Sequence, residues 1–178
     1  MTDTVAQHTA HHTADHATGT FVDSSVFMGM HARAEDVRLA CKNFFVERLG
    51  QSVVMSLEQV GRCDALVWRY SRAEQDDYYP FMDTLHTDMA IHRVAYSERD
   101  VAVALRTPDL SDLDFVDRLT VGMALSRDGE LVTINPRLLD LPGLPVRAPR
   151  SADDTRFPAG LERLYARSLA LRVAGEDL

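Results

Sequence analysis

Asp23 stands where the strand pattern ends in a short apolar run, residues 20–27. Far downstream, Asp117 opens a helical pattern that leads into a second run, Leu131–Val132–Thr133–Ile134–Asn135. In an open parallel sheet, side chains at the carboxyl ends of strands meet in one crevice. Carboxylates gathered there repel one another unless a hard cation such as Mg²⁺ or Mn²⁺ neutralises them. These residue types in this order therefore point to metal-dependent chemistry on a phosphate. Each also has a plainer reading, because a strand-terminal Asp caps turns and the helix dipole favours an acid in a first helical turn.

The elements that must position these acids alternate along the chain. Residues 35–49 carry Val37, Cys41, Phe44, Phe45 and Leu49 at helical spacing, with Gly50 as the stop. Ser52–Val53–Val54–Met55 reads as a buried strand, and Ser56 as the N-cap of a helix through Val60, Leu66, Val67 and Tyr70. Residues 76–89, interrupted by Pro80, predict a turn and a short helix. A strand is expected over 91–96, and Ser97 then caps a helix over 98–106. A loop follows at 107–111, then a helix over 113–125, a strand over 131–134 and a short edge strand at 143–146. A polar linker leads to a final helix over 161–173. Alternating β and α order implies an α/β fold with a mostly parallel sheet and helices on both faces. Right-handed crossovers put the strand ends on one rim.

The chain has 178 residues, 46% of them apolar, enough for one domain with a real core. No run of roughly 18 apolar residues is present, so no membrane span is expected, and the N-terminal pattern is not that of a secretory signal. Cys41 and Cys63 form no CxxC pair and read as buried reduced thiols. The expected location is the cytoplasm. Residues 1–19, rich in Thr and His, predict a disordered tail, although His8, His11, His12 and His16 carry imidazoles of the kind that ligate transition metals. The net charge of −8 argues against nucleic acid held by a general field, since phosphate neutralisation supplies most non-specific affinity.

Four segments give the chain a resemblance to the PIN-domain family, the fold of many metal-dependent ribonucleases, including toxins of the VapC type. They are Phe21–Val22–Asp23–Ser24–Ser25, the strand and acidic helix of residues 91–106, the helix opened by Asp117, and residues 131–135 with the Leu141–Pro142–Gly143–Leu144 turn. The resemblance covers residues 20–147 as a PIN-like three-layer domain, with residues 148–178 as a linker and a C-terminal helix packed on it. The family's second acid falls, by its spacing from Ser56, on Arg62, so Glu58, one turn away on the same helix face, is taken as the substitute.

On this resemblance Asp23, Glu58 and Asp117 would hold Mg²⁺ or Mn²⁺, with Asp114 and Asn135 as further contributors. Ser24 and Thr133 would supply hydroxyls around the metal. The implied reaction is cleavage of RNA by metal-bound water. An antitoxin-like protein partner and a homodimer are implied as well. The rival reading has Arg62 neutralise the acids in place of a metal, giving a binding or regulatory module without catalysis. A further rival keeps the pocket for a small phosphorylated or nucleotide-like ligand, with His31 as a pocket residue. Trp68, Tyr70, Tyr78, Tyr79 and Phe81 are expected to serve packing or dimerisation rather than base stacking.

Overall fold

The computed structural model describes residues 19–150 and 154–178. The predicted tail, apart from Gly19, lies outside the described residues, and so do its four histidines. Among those described, five short strands form one all-parallel sheet in the order β3-β2-β1-β4-β5. They are β1 (Thr20–Val22), β2 (Ser52–Ser56), β3 (Ala90–Val94), β4 (Glu130–Val132) and β5 (Val146–Arg147). Phe21 pairs with Val54 on one side and Leu131 on the other, which puts β1 at the centre.

The helices are α1 (Ser24–Gly29), α2 (Glu35–Val46), α3 (Leu57–Val67), α4 (Arg72–Asp88), α5 (Glu98–Arg106), α6 (Phe115–Ser126), α7 (Pro136–Leu139) and α8 (Ala159–Ser168). Strand residues alternate between two cores, as a period of two requires. Phe21 and Leu131 point to one side with Leu110, Val121, Met123 and Leu138. Val22 and Val132 point to the other with Phe27, Phe45, Tyr78 and Phe81. The result is a three-layer PIN-like sandwich.

Local chemistry sets most boundaries. Ser56 accepts from the Gln59 amide at 3.1 Å, and Ser97 forms a capping box with Asp100. Gly50, at φ 83°, turns the chain into β2. The two helices on the far layer meet closely: a Cβ on Gly122 would stand 2.6 Å from the Ala104 Cβ. Asp100 locks the same pair, for it is fully buried and ion-paired to Arg127 at 2.5 Å. Burial pushes its carboxyl up, but the donors Arg127, Ser126 and Ser97 outweigh that and hold it below the usual range.

Several boundaries correct the sequence reading. In place of the turn and short helix expected over 76–89, residues 76–88 belong to one 17-residue helix, α4, with Pro80 inside it and Met89 as its extended C-cap. Phe81 and Leu85 are fully buried there. They contribute about 1.5–3 kcal/mol each, together enough to offset the roughly 3 kcal/mol an internal proline costs. The strand expected over 91–96 ends at Val94, and the edge strand falls at Val146–Arg147 rather than 143–146. The loop at 107–111 contains a 3₁₀ turn, Pro108–Leu110. The helix expected from 113 begins at Phe115 with Asp114 as N-cap, so Asp117 is its third residue rather than its opener. The last helix stops at Ser168, not Val173. Beyond it the chain runs back extended, and Val173 bridges to Ala32 in parallel.

Cys41 and Cys63 are free and buried, as expected. Burial pushes the Cys41 thiol up to about 12, leaving it unreactive at neutral pH. No helix among the described residues is long and apolar enough to cross a membrane.

Candidate functional site

From β1 the chain moves outward to β2 and β3, then returns to the other side of β1 for β4 and β5. Such a switch in strand order opens a crevice at the carboxyl ends of the central strands. Asp23 follows β1 there, Thr133 and Asn135 follow β4, and α6 delivers Asp117. Strand order thus places these side chains at the carboxyl ends of adjacent strands.

Asp23 is 5% exposed and caps α1. Its Oδ1 accepts from the Ser25 hydroxyl at 2.6 Å and from the Val26 amide at 3.2 Å. Burial raises its pKa, against these donors and Thr133. The hydroxyl on Asp23 therefore belongs to Ser25, where the sequence reading named Ser24. Helix α1 starts immediately after the cap, and this sends residue 25 back over the carboxylate. Thr133 does join the network, 3.3 Å from the Ser25 Oγ, and it accepts from the Asn135 amide at 2.9 Å.

Asp117 is 6% exposed. Burial raises its pKa most; Asp114 adds to the rise, Arg62 and Asn135 oppose it, and Asp23 adds a further push. The two aspartates thus share one electrostatic field. Asn135 donates from Nδ2 to Asp117 Oδ2 at 3.1 Å, and its Oδ1 accepts from the Arg137 amide at 3.0 Å as the cap of α7. The atom it shows to the acids is a donor, which does not ligate a cation. Asp114 is occupied as a cap, with Oδ1 accepting from the Val116 and Asp117 amides at 3.0 Å each.

Glu58 is engaged by two neighbours. Its Oε1 takes the Arg62 Nε at 3.2 Å and its Oε2 takes the Tyr96 hydroxyl at 3.2 Å. The residue of α3 that packs against α1 and α6 is Gln59, 2% exposed. Its Oε1 accepts from the Ser24 amide at 2.9 Å and its Nε2 donates to Thr120 Oγ1 at 3.0 Å. Gln59 is not among the site residues expected from the sequence. Its place three residues after the N-cap Ser56 marks it as a polar group with a backbone partner to find. That partner is in α1 rather than in its own helix.

Among the described residues, no three His, Cys, Asp or Glu side chains gather into a group able to hold a metal ion. Asp117 takes an Asn donor and feels the charge of Arg62, and Asp23 takes the Ser25 hydroxyl and the Val26 amide. This donor set does not fit the Mg²⁺ or Mn²⁺ centre that the resemblance implies, which needs further oxygen ligands in place of those groups.

His31 is not a crevice residue. It is fully buried amid Tyr78, Phe81 and Tyr165. The Ser168 hydroxyl donates to the Tyr165 carbonyl, so His31 Nε2 donates to Ser168 Oγ at 2.8 Å. Tyr78 and Phe81 serve packing, whereas Trp68 is 70% exposed.

The fold and crevice define an all-parallel α/β protein of PIN-like architecture. The chain belongs to DUF6190, a family of unknown function whose model matches residues 11–178. No curated protein matches it. In fold it is similar to a chain of the crystal structure of VapBC2 from Rickettsia felis bound to a DNA fragment from their promoter. The TM-score is 0.54 at 12% identity, covering 72% of this chain and 97% of that one.

Proposed function

We propose that this protein is a PIN-like module that acts by binding rather than by hydrolysis. The observation that carries the reading is Arg62. It lies on the α3 face where the family spacing puts an acid, it is paired to Glu58, and its charge reaches Asp117. A guanidinium at that place supplies the neutralisation that a divalent ion supplies in a nuclease, with no exchangeable water to activate. The likeness to VapBC2 supports a protein partner of antitoxin type as the regulatory context.

A second reading, Mg²⁺- or Mn²⁺-dependent cleavage of RNA, is favoured by the convergence of Asp23 and Asp117 at the strand ends. Titration calorimetry with Mn²⁺ separates the two. The binding reading expects no Mn²⁺ heat from the wild type and a gain of heat in Arg62→Glu that disappears again in Asp23→Asn/Arg62→Glu. Wild-type Mn²⁺ heat that Asp23→Asn abolishes, together with Mn²⁺-dependent cleavage of single-stranded RNA, overturns it in favour of the nuclease.

A further inference from the structure

Beside the acid crevice, a hollow of about 330 Å³ lies between α1 and α3 and is bordered by the segment that follows α8. Its walls are of two kinds. Met28, Ala65 and Leu66 give apolar ground, and Arg62 of α3 and Arg69 of the turn that follows it line the same hollow. The volume lies at the low end for small-molecule sites, so it admits one compact ligand and no polymer. Guanidinium groups recognise phosphate oxygens through paired N–H donors, and the apolar walls suit a ring or short carbon body.

Arg69 is already engaged. Its Nη1 lies 2.6 Å from Oδ1 of Asp177, and the arginine side chain is 65% exposed. The chain leading to Asp177 is anchored upstream. The Val173 amide donates to the His31 carbonyl at 2.9 Å, the Arg33 amide to the Val173 carbonyl at 2.8 Å, and the Tyr70 hydroxyl to the Arg172 carbonyl at 3.1 Å. A 3₁₀ turn, Gly175–Asp177, then presents the carboxylate. An ion pair this exposed contributes little, so a more highly charged oxyanion displaces it readily. Of the acids nearby, Glu58 pairs with Arg62 through Nε alone and accepts from Tyr96, and Asp23 is capped by Ser25 and Val26.

We infer that this hollow binds a small phosphorylated ligand of nucleoside monophosphate size through Arg62 and Arg69, and that Asp177 holds the phosphate's place until the ligand arrives. The inference rests on the binding reading above, in which Arg62 stands in place of a metal and leaves guanidinium N–H groups for a ligand.

Titration calorimetry of the full chain in EDTA, with adenosine monophosphate, inorganic phosphate and adenosine as separate titrants, tests it. The expected result is saturable binding of the monophosphate, weaker binding of phosphate and none of adenosine. Asp177→Asn binds the monophosphate about fivefold more tightly, the scale of a surface pair removed. Arg69→Ala and Arg62→Ala bind it at least about tenfold more weakly, as expected for a lost charge-assisted bond. Circular dichroism melts check that each variant is folded. No heat from wild type or Asp177→Asn overturns the site, as does undiminished binding in a folded Arg62→Ala/Arg69→Ala variant. Equal affinity in wild type and Asp177→Asn overturns the place-holding role, and phosphate binding as tightly as the monophosphate overturns the ligand size. Because the metal is chelated throughout, failure here leaves the outcome of the Mn²⁺ titration unaffected.

Discussion

Asn135 donates a hydrogen bond to Asp117, Nδ2 to Oδ2 at 3.1 Å, from a position 18 residues downstream. One buried carboxylate therefore receives a neutral donor where a second acid would call for a cation. The bond ties the end of the β4 segment to the first turn of α6.

Replacing that donor tests the arrangement. Asn135→Asp sets a carboxylate against Asp117 and removes its hydrogen bond, so stability at neutral pH should fall by about 1–3 kcal/mol. Urea denaturation measures it. The loss should shrink as the pH falls toward 4, where the new pair takes up a proton.

Gln59 joins α1 to α6 through Ser24 and Thr120. Gln59→Ala leaves the Ser24 amide without its partner, at about 1–3 kcal/mol, while Thr120 keeps the Val116 carbonyl and the Tyr96 hydroxyl. Chemical denaturation should show a loss of this size. Hydrogen exchange at the Ser24 amide should accelerate more than exchange in α5.

Burial raises the Asp117 pKa, with Asp114 adding to the shift. A carboxyl raised in the folded state contributes stability at pH below its unfolded value, and that stability is lost as pH rises through the folded value. Asp117→Asn should therefore be more stable than wild type at pH 7, with the gain vanishing near pH 3. Melting temperatures across that range report it; a variant less stable at pH 7 contradicts the sign.

His31 has the opposite linkage. Burial, with Arg172 next, drives its pKa from 6.5 to about 3. A base depressed in the folded state stabilises above its unfolded value and loses that stability as pH falls from about 6.5 toward 3. His31→Gln should flatten the acid limb of the stability curve, even if it lowers the plateau. An unchanged limb would show that other groups set acid sensitivity.

The contact of α5 with α6 depends on a missing methyl. Gly122→Ala places a Cβ 2.6 Å from one Ala104 carbon and 2.8 Å from its Cα. The helices must separate, at a cost of about 1–3 kcal/mol. Denaturant midpoints should drop accordingly, and Gly61→Ala, which meets nothing within 4 Å, should not cost stability.

The sequence carried the crevice better than its contents. Strand-end logic brought Asp23, Asp117, Thr133 and Asn135 together because it depends only on element order and sheet direction. Ser56 and Ser97 were legible as caps because capping is local. Gln59 was not, since its partner Ser24 lies 35 positions away in another helix. Pro80 read as a break because the buried face that carries α4 through it exists only in the assembled core. His31 is expected from the sequence as a pocket residue, and only the placement of α4 and α8 shows that it is enclosed by rings.

The parallel pairing of β1 with β4 also governs the order of events during folding. Ser25 and Ile134, which join the two sides of the crevice, are 109 residues apart. Contacts of such separation are slow to form, because loop closure must come first. A nascent chain that has not yet emitted β4 has Asp23 but no crevice around it. Any ligand or protein recognised there can be captured only after synthesis has passed that strand.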